Sequence, residues 1–146
     1  MELSDAIRQT LGKGLTDYEL GLIARLAQKK LFMGGDTLVR CFDRDTDIFV
    51  ILEGSAKVFS ASDEMVAELT PGSIVGEVSL VDEQPRSATV RAAGEVEVAT
   101  IPAADLRQLM MDNTRIEAVL MRNIARMLSS RLRVANIQMD GLMAVR

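Results

Sequence analysis

All three prolines of the 146-residue chain (Pro71, Pro85 and Pro102) and six of its ten glycines lie between Gly34 and Pro102. Proline breaks helix interiors and removes a ladder donor from strands, while glycine opens the backbone to turns. A block punctuated this closely has no room for long helices and must be built from short β runs. Ile48 to Leu52 reads as a strand buried on both faces, Lys57 to Phe59 and Val66 to Leu69 as further strands, then Thr89 to Ala92 and Val96 to Ile101. That spacing predicts an antiparallel sandwich or barrel rather than a βαβ fold.

The flanks read as helix. Thr16-Asp17-Tyr18-Glu19 has the spacing of a capping box, with Leu15 placed to staple onto Leu20. The helix it opens carries Leu20, Ile23, Leu26 and Ala27 on one face and is expected to end near Lys30. After the block, Pro102 suits a first helical position, and Asn113 or Thr114, with Glu117 three residues past Thr114, suits a second start. The long final helix repeats Met121, Ile124, Leu128, Leu132, Ala135, Met139 and Leu142 as a continuous stripe, with Arg122, Arg126, Arg131 and Arg133 largely off it. A helix of roughly 30 residues is about 45 Å long, more than a domain of this size covers. The stripe therefore predicts a homodimer formed helix to helix. The expected organisation is one domain over 1–146: N-terminal helices to about 33, a β region over about 34–101, and C-terminal helices over about 102–146.

Composition narrows the chemistry. There is no His, no Trp and a single Cys, Cys41. This removes a Ser-His-Asp triad, a His-activated Cys, a His-ligated or thiolate zinc site and an internal disulfide. A binding protein is expected rather than an enzyme, with no catalytic residues, metal or cofactor. The net charge of −4 lacks the basic footprint of a nucleic-acid reader. The five apolar residues from Ile48 to Leu52 fall far short of a membrane span, and the N-terminus is not signal-like, so a cytoplasmic protein is expected. Charge is uneven along the chain. Residues 1–103 hold 10 basic and 17 acidic side chains, a balance of −7, whereas 104–146 hold 7 basic and 4 acidic, a balance of +3.

The string Gly76-Glu77-Val78-Ser79-Leu80-Val81, Asp82-Glu83-Gln84, Pro85-Arg86-Ser87-Ala88-Thr89-Val90 carries the candidate site. Gly76 lets backbone approach a ligand, and a helical turn through Val78 to Val81 would aim free N–H groups at an anion. Arg86 is the one basic residue between Lys57 and Arg91. Beside the Ser87 hydroxyl it suits one phosphate. A carboxylate at Glu77 would repel a bare phosphate but accept from a sugar hydroxyl, so the two together suggest a phosphorylated ribose.

Val75 to Ala92 resembles the phosphate-binding cassette of the cyclic-nucleotide-binding domain family, and Asp47 to Phe59 resembles its strand, Gly turn and strand signature. Leu15 to Val39 is similar to its N-terminal helices and first strand, and Arg131 to Leu142 to the dimerisation helix of bacterial catabolite-activator-type regulators. The resemblance implies a mostly β fold with flanking helices: an eight-stranded β-roll (jelly roll, double-stranded β-helix) holding a 3′,5′-cyclic nucleotide. Arg86 would pair with the cyclic phosphate and Ser87 would add a hydroxyl contact next to Ala88. Glu77 would accept from the ribose 2′-OH, and the backbone of Gly76, Glu77, Val78 and Ser79 would line the site. The base would meet Ala135 and Asn136, where the bacterial activators carry two hydroxyl residues. Cyclic AMP is expected over cyclic GMP, with occupancy passed to the final helix. The family's Gly turn is replaced by Cys41-Phe42-Asp43, so either the turn is built differently or Phe42 takes an unusual backbone angle. The activators continue into a DNA-binding domain whose linker would begin where this sequence stops, so the chain is expected to be either a stand-alone sensor or a fragment lacking its output domain. The alternative is a structural or interaction module that keeps the β-roll without nucleotide.

Overall fold

The computed structural model describes residues 1–144, and side chains as far as Gly141; Leu142, last in the predicted stripe, has its side chain outside the described residues. Two short helices, α1 (Leu3–Gln9) and α2 (Asp17–Ala24), precede eight strands. These are β1 (Gln28–Phe32), β2 (Thr37–Val39), β3 (Asp47–Glu53), β4 (Ala56–Phe59), β5 (Met65–Leu69), β6 (Ile74–Val75), β7 (Thr89–Ala92) and β8 (Val96–Pro102). A 3₁₀ turn over Glu77–Leu80 follows β6, and α3 (Ala103–Asp112) and α4 (Thr114–Ala144) close the chain. The strands form two antiparallel sheets, β1-β8-β3-β6 and β2-β7-β4-β5. This is the predicted β-roll with helices at both ends.

Two apolar layers hold it together. Phe49, Ile51, Val96 and Val98 meet Leu38, Val39, Ala56, Val90 and Ala92 between the sheets. On the other face of β3 and β8, Ile48, Val50, Leu52, Ala99 and Ile101 pack against the helices. The strict alternation along β3 shows why five consecutive apolar residues occur there: each face of the strand has its own core.

The Thr16 capping box is present: the Glu19 backbone N–H donates to Thr16 Oγ1 at 3.2 Å, and the Thr16 N–H donates to Glu19 Oε1 at 2.9 Å. The helix it opens stops at Ala24, however, not near Lys30. Residues 28–32 instead pair with β8 from Gln28↔Thr100 to Phe32↔Val96, so the β-roll begins at Gln28 rather than Gly34. Pairing with the buried β8 outweighs the local helical period. Pro102 ends β8 and caps α3 instead of occupying its first turn. Asn113 ends α3, its Nδ2 donating to the Leu109 carbonyl at 3.0 Å, and α4 starts at Thr114.

The predicted stripe on α4 divides into two parts. Ile124 is 2% exposed and Met121 is packed beside it in the chain's own core, with Ile116, Val119 and Leu120. Ile124 is therefore consumed by the domain's own core, which corrects its assignment to a dimer interface, and Met121 spends part of its surface there. Buried Asn123 donates to the Leu11 carbonyl at 2.6 Å and the Lys13 carbonyl at 3.0 Å, satisfying the α1–α2 connection that α4 covers. Beyond Met127 the helix is open: Leu128, Leu132 and Met139 are exposed.

Candidate functional site

A cavity of about 970 Å³ lies between the sheet β2-β7-β4-β5, the 3₁₀ turn, the loop to β7 and the distal part of α4. Gly76, Glu77, Val78, Ser79, Arg86, Ser87, Ala88 and Ala135 all line it. Asn136 does not. It is exposed one residue further round the helix, while Arg131, Val134, Ala135 and Gln138 face the cavity at helical spacing. The polar groups that α4 offers one turn either side of Ala135 are therefore Arg131 and Gln138.

Gly76 opens the 3₁₀ turn with φ +87°, in the left-handed region. A Cβ here would lie 2.9 Å from the Asp47 carbonyl oxygen and collide with Arg86 Nη1, so only glycine lets this backbone lie against the arginine. Arg86 is 8% exposed, and its Nη2 donates to the Asp47 carbonyl and reaches Asp45 Oδ2 at 3.4 Å. Its Nε is buried without an acceptor. The backbone of Arg86 is tied as well: its N–H donates to the Asp43 carbonyl at 2.7 Å, and its carbonyl accepts from the Phe42 N–H at 2.8 Å. That ladder accounts for the missing glycine. Phe42 adopts φ +72° with its ring exposed, so the turn keeps its left-handed residue at a cost of about 1–2 kcal/mol.

Glu77 is 1% exposed and would be an uncompensated buried charge but for Arg131 of α4, whose Nη2 lies 2.6 Å from Glu77 Oε1. The approach is close without the alignment of a hydrogen bond, so Oε1 has a charge partner and no donor pointed at it. Burial pushes the Asp47 carboxyl above the ordinary aspartate range, and the neighbouring Asp45 charge adds to this. Neither Arg131 nor Asp45 was singled out for the site from sequence. Arg131 could have been found through the i, i+4 relation to Ala135, whereas Asp45 approaches Arg86 across 41 residues of chain and has no local signal. Among the described residues no cluster of three or more His, Cys, Asp or Glu could hold a metal ion, and no helix is long and apolar enough to cross a membrane.

The cavity wall thus brings together buried Glu77, the first residue of the glycine-led turn, and buried Arg86 from the loop that follows it. The Cyclic nucleotide-binding domain family model matches residues 29–113, and the chain belongs to that family. It is 29% identical over 141 residues to Glutaminase 1 of Bradyrhizobium diazoefficiens, covering 97% of this chain and 23% of that protein. It is 28% identical over 133 residues to the Cyclic AMP receptor protein of Thermus thermophilus, covering 88% of this chain and 60% of that one. The crystal structure of the Thermus thermophilus catabolite activator protein superposes with a TM-score of 0.78 at 28% identity, over 90% of this chain and 62% of that one. The chain thus spans less than two thirds of these relatives' lengths, and it resembles the sensor portion of Crp-type regulators.

Proposed function

We propose that the chain is a non-enzymatic sensor domain that binds a 3′,5′-cyclic nucleotide, cyclic AMP in preference to cyclic GMP, and reports occupancy through α4. The observation that carries this reading is Arg86, a cation buried in the cavity wall with its Nε lacking an acceptor. An unpaired buried donor on a charged group is costly, and a ligand phosphate would satisfy it. Ser87 would contribute its hydroxyl, with the backbone of the 3₁₀ turn beside the same phosphate. Charge-assisted bonds to Arg86 supply on the order of 2–3 kcal/mol each, while micromolar binding requires about 8 kcal/mol. Ribose and base contacts must supply the rest.

Glu77 would accept the ribose 2′-OH, and that places the ligand in competition with, or alongside, Arg131 at a single carboxylate. Binding would thereby reset a contact between the β-roll and α4, which is the differential interaction a switch requires. Gln138 and Ala135 would meet the base. The exposed Leu128, Leu132 and Met139 would join two copies into a homodimer, with a cytoplasmic site of action. Calorimetry with each nucleotide tests the binding reading: micromolar affinity is expected, and no detectable heat at 100 μM, about 5.5 kcal/mol, would sink it. Arg86→Ala should abolish binding while leaving a cooperative unfolding transition. Equal affinity in that variant would favour the nucleotide-independent module.

A further inference from the structure

Between the 3₁₀ turn and Arg86 the chain arches over the cavity, and Asp82, Gln84 and Pro85 line it. This arch has little of its own to hold it. The Asp82 N–H donates to the Val78 carbonyl and the Arg86 N–H to the Asp43 carbonyl, but among the described residues Glu83, Gln84 and Pro85 make no backbone hydrogen bond. One side chain from outside the cavity ties the 3₁₀ turn to the start of the unsupported stretch. Arg107 of α3 donates through Nη2 to the Ser79 carbonyl at 3.2 Å, at the end of the 3₁₀ turn, and through Nη1 to Glu83 Oε1 at 2.8 Å, in the arch. Leu80 shares a core with Leu106 and Met110 of α3, so the guanidinium sits on a firm base.

We infer that Arg107 is a positioning residue for the nucleotide site, a two-point clamp that holds the arch closed without touching the ligand. An exposed ion pair to Glu83 alone would contribute little. The planar fork changes this, because two donors fixed relative to each other set the distance between Ser79 and Glu83, and lysine has no such fork. The clamp acts on the lid of the cavity and not on the base pocket, so it governs how long any cyclic nucleotide stays and does not discriminate between them. It rests on the reading of this cavity as a cyclic-nucleotide site.

The test is stopped-flow release and calorimetry of cyclic AMP and cyclic GMP on the full chain, comparing wild type with Arg107→Ala, Arg107→Lys and Glu83→Gln. Arg107→Ala should release both nucleotides about tenfold faster, with the association rate within twofold of wild type and the melting temperature little changed. Arg107→Lys should recover part of the loss, and Glu83→Gln should show a smaller one. Release rates within twofold of wild type, or a loss confined to one nucleotide, would overturn the inference. Amide hydrogen exchange of residues 77–86 in the ligand-free protein keeps the clamp separable from the ligand assignment. About tenfold faster exchange in Arg107→Ala is expected, and unchanged exchange would overturn the clamp even if the nucleotide reading stood. If wild type binds neither nucleotide, the functional reading fails and the exchange result alone decides the clamp.

Discussion

The two halves of α4 carry the same apolar period and meet different surroundings. From Ile116 to Ile124 the apolar residues are buried against α1, α2 and α3, and Asn123 is pinned to two carbonyls of the α1–α2 connection. From Leu128 onward the period continues, yet Leu132 is 63% and Met139 61% exposed. A helical stripe states that a face is to be covered and is silent on what covers it. The first half belongs to the domain core, and the second is free for the cavity on one side and, in the proposed reading, a second copy on the other.

Substitution at equivalent stripe positions should break this symmetry. Ile124→Ala is expected to lower the unfolding free energy by about 2–5 kcal/mol in urea denaturation, whereas Leu132→Ala should stay within about 0.5 kcal/mol in the monomer. A cost above 1 kcal/mol at Leu132 that grows with protein concentration would show that face to be covered by another copy. Asn123→Ala comes next. It leaves the Leu11 and Lys13 carbonyls without their donor, for a loss of about 1–3 kcal/mol.

The smallest expected effects sharpen the comparison at the ends of the fold. Phe42→Gly removes a left-handed strain and should raise stability by about 1 kcal/mol or less, since glycine also costs chain entropy. At the start of α4, Arg115 lies 3.2 Å from Glu19. The Thr16 backbone N–H, with help from the Thr16 hydroxyl and Arg115, holds the Glu19 carboxyl below the ordinary glutamate range. A depressed acid stabilises the fold above its unfolded pKa, about 4.3, and the contribution is lost as pH falls through the lower folded value. Glu19→Gln should therefore flatten the acid side of the stability profile below about pH 4.5 by under 1 kcal/mol. An unchanged profile would remove Glu19 from the account.

Much of the site was legible because its chemistry is local. Gly76, Glu77, Arg86 and Ser87 fall within twelve residues, and backbone spacing alone brings them to one turn and the following loop. The contacts that give those residues their state come from far along the chain: Arg131 reaches Glu77, Arg107 reaches Ser79, and Asp45 and Asp47 reach Arg86. β1 and β6 were hard to read for the same reason. β1 alternates poorly and is recognisable only through its pairing with β8, and β6 is two residues long. Phe42 stands between these cases, since the absent glycine signalled an unusual turn and the ladder to Arg86 shows what maintains it.

The sequence by itself determined an antiparallel sandwich or barrel of short strands, because proline and glycine placement limits how far any element can run, and its family resemblance narrowed this to a β-roll. It also determined the residue types of the candidate site. Only the tertiary structure decided where β1 begins, which residues of α4 face the cavity, and that half of the helix stripe is consumed by the domain's own core. Those outcomes depend on pairings between residues tens of positions apart, whose free energy appears only once the chain has brought them together.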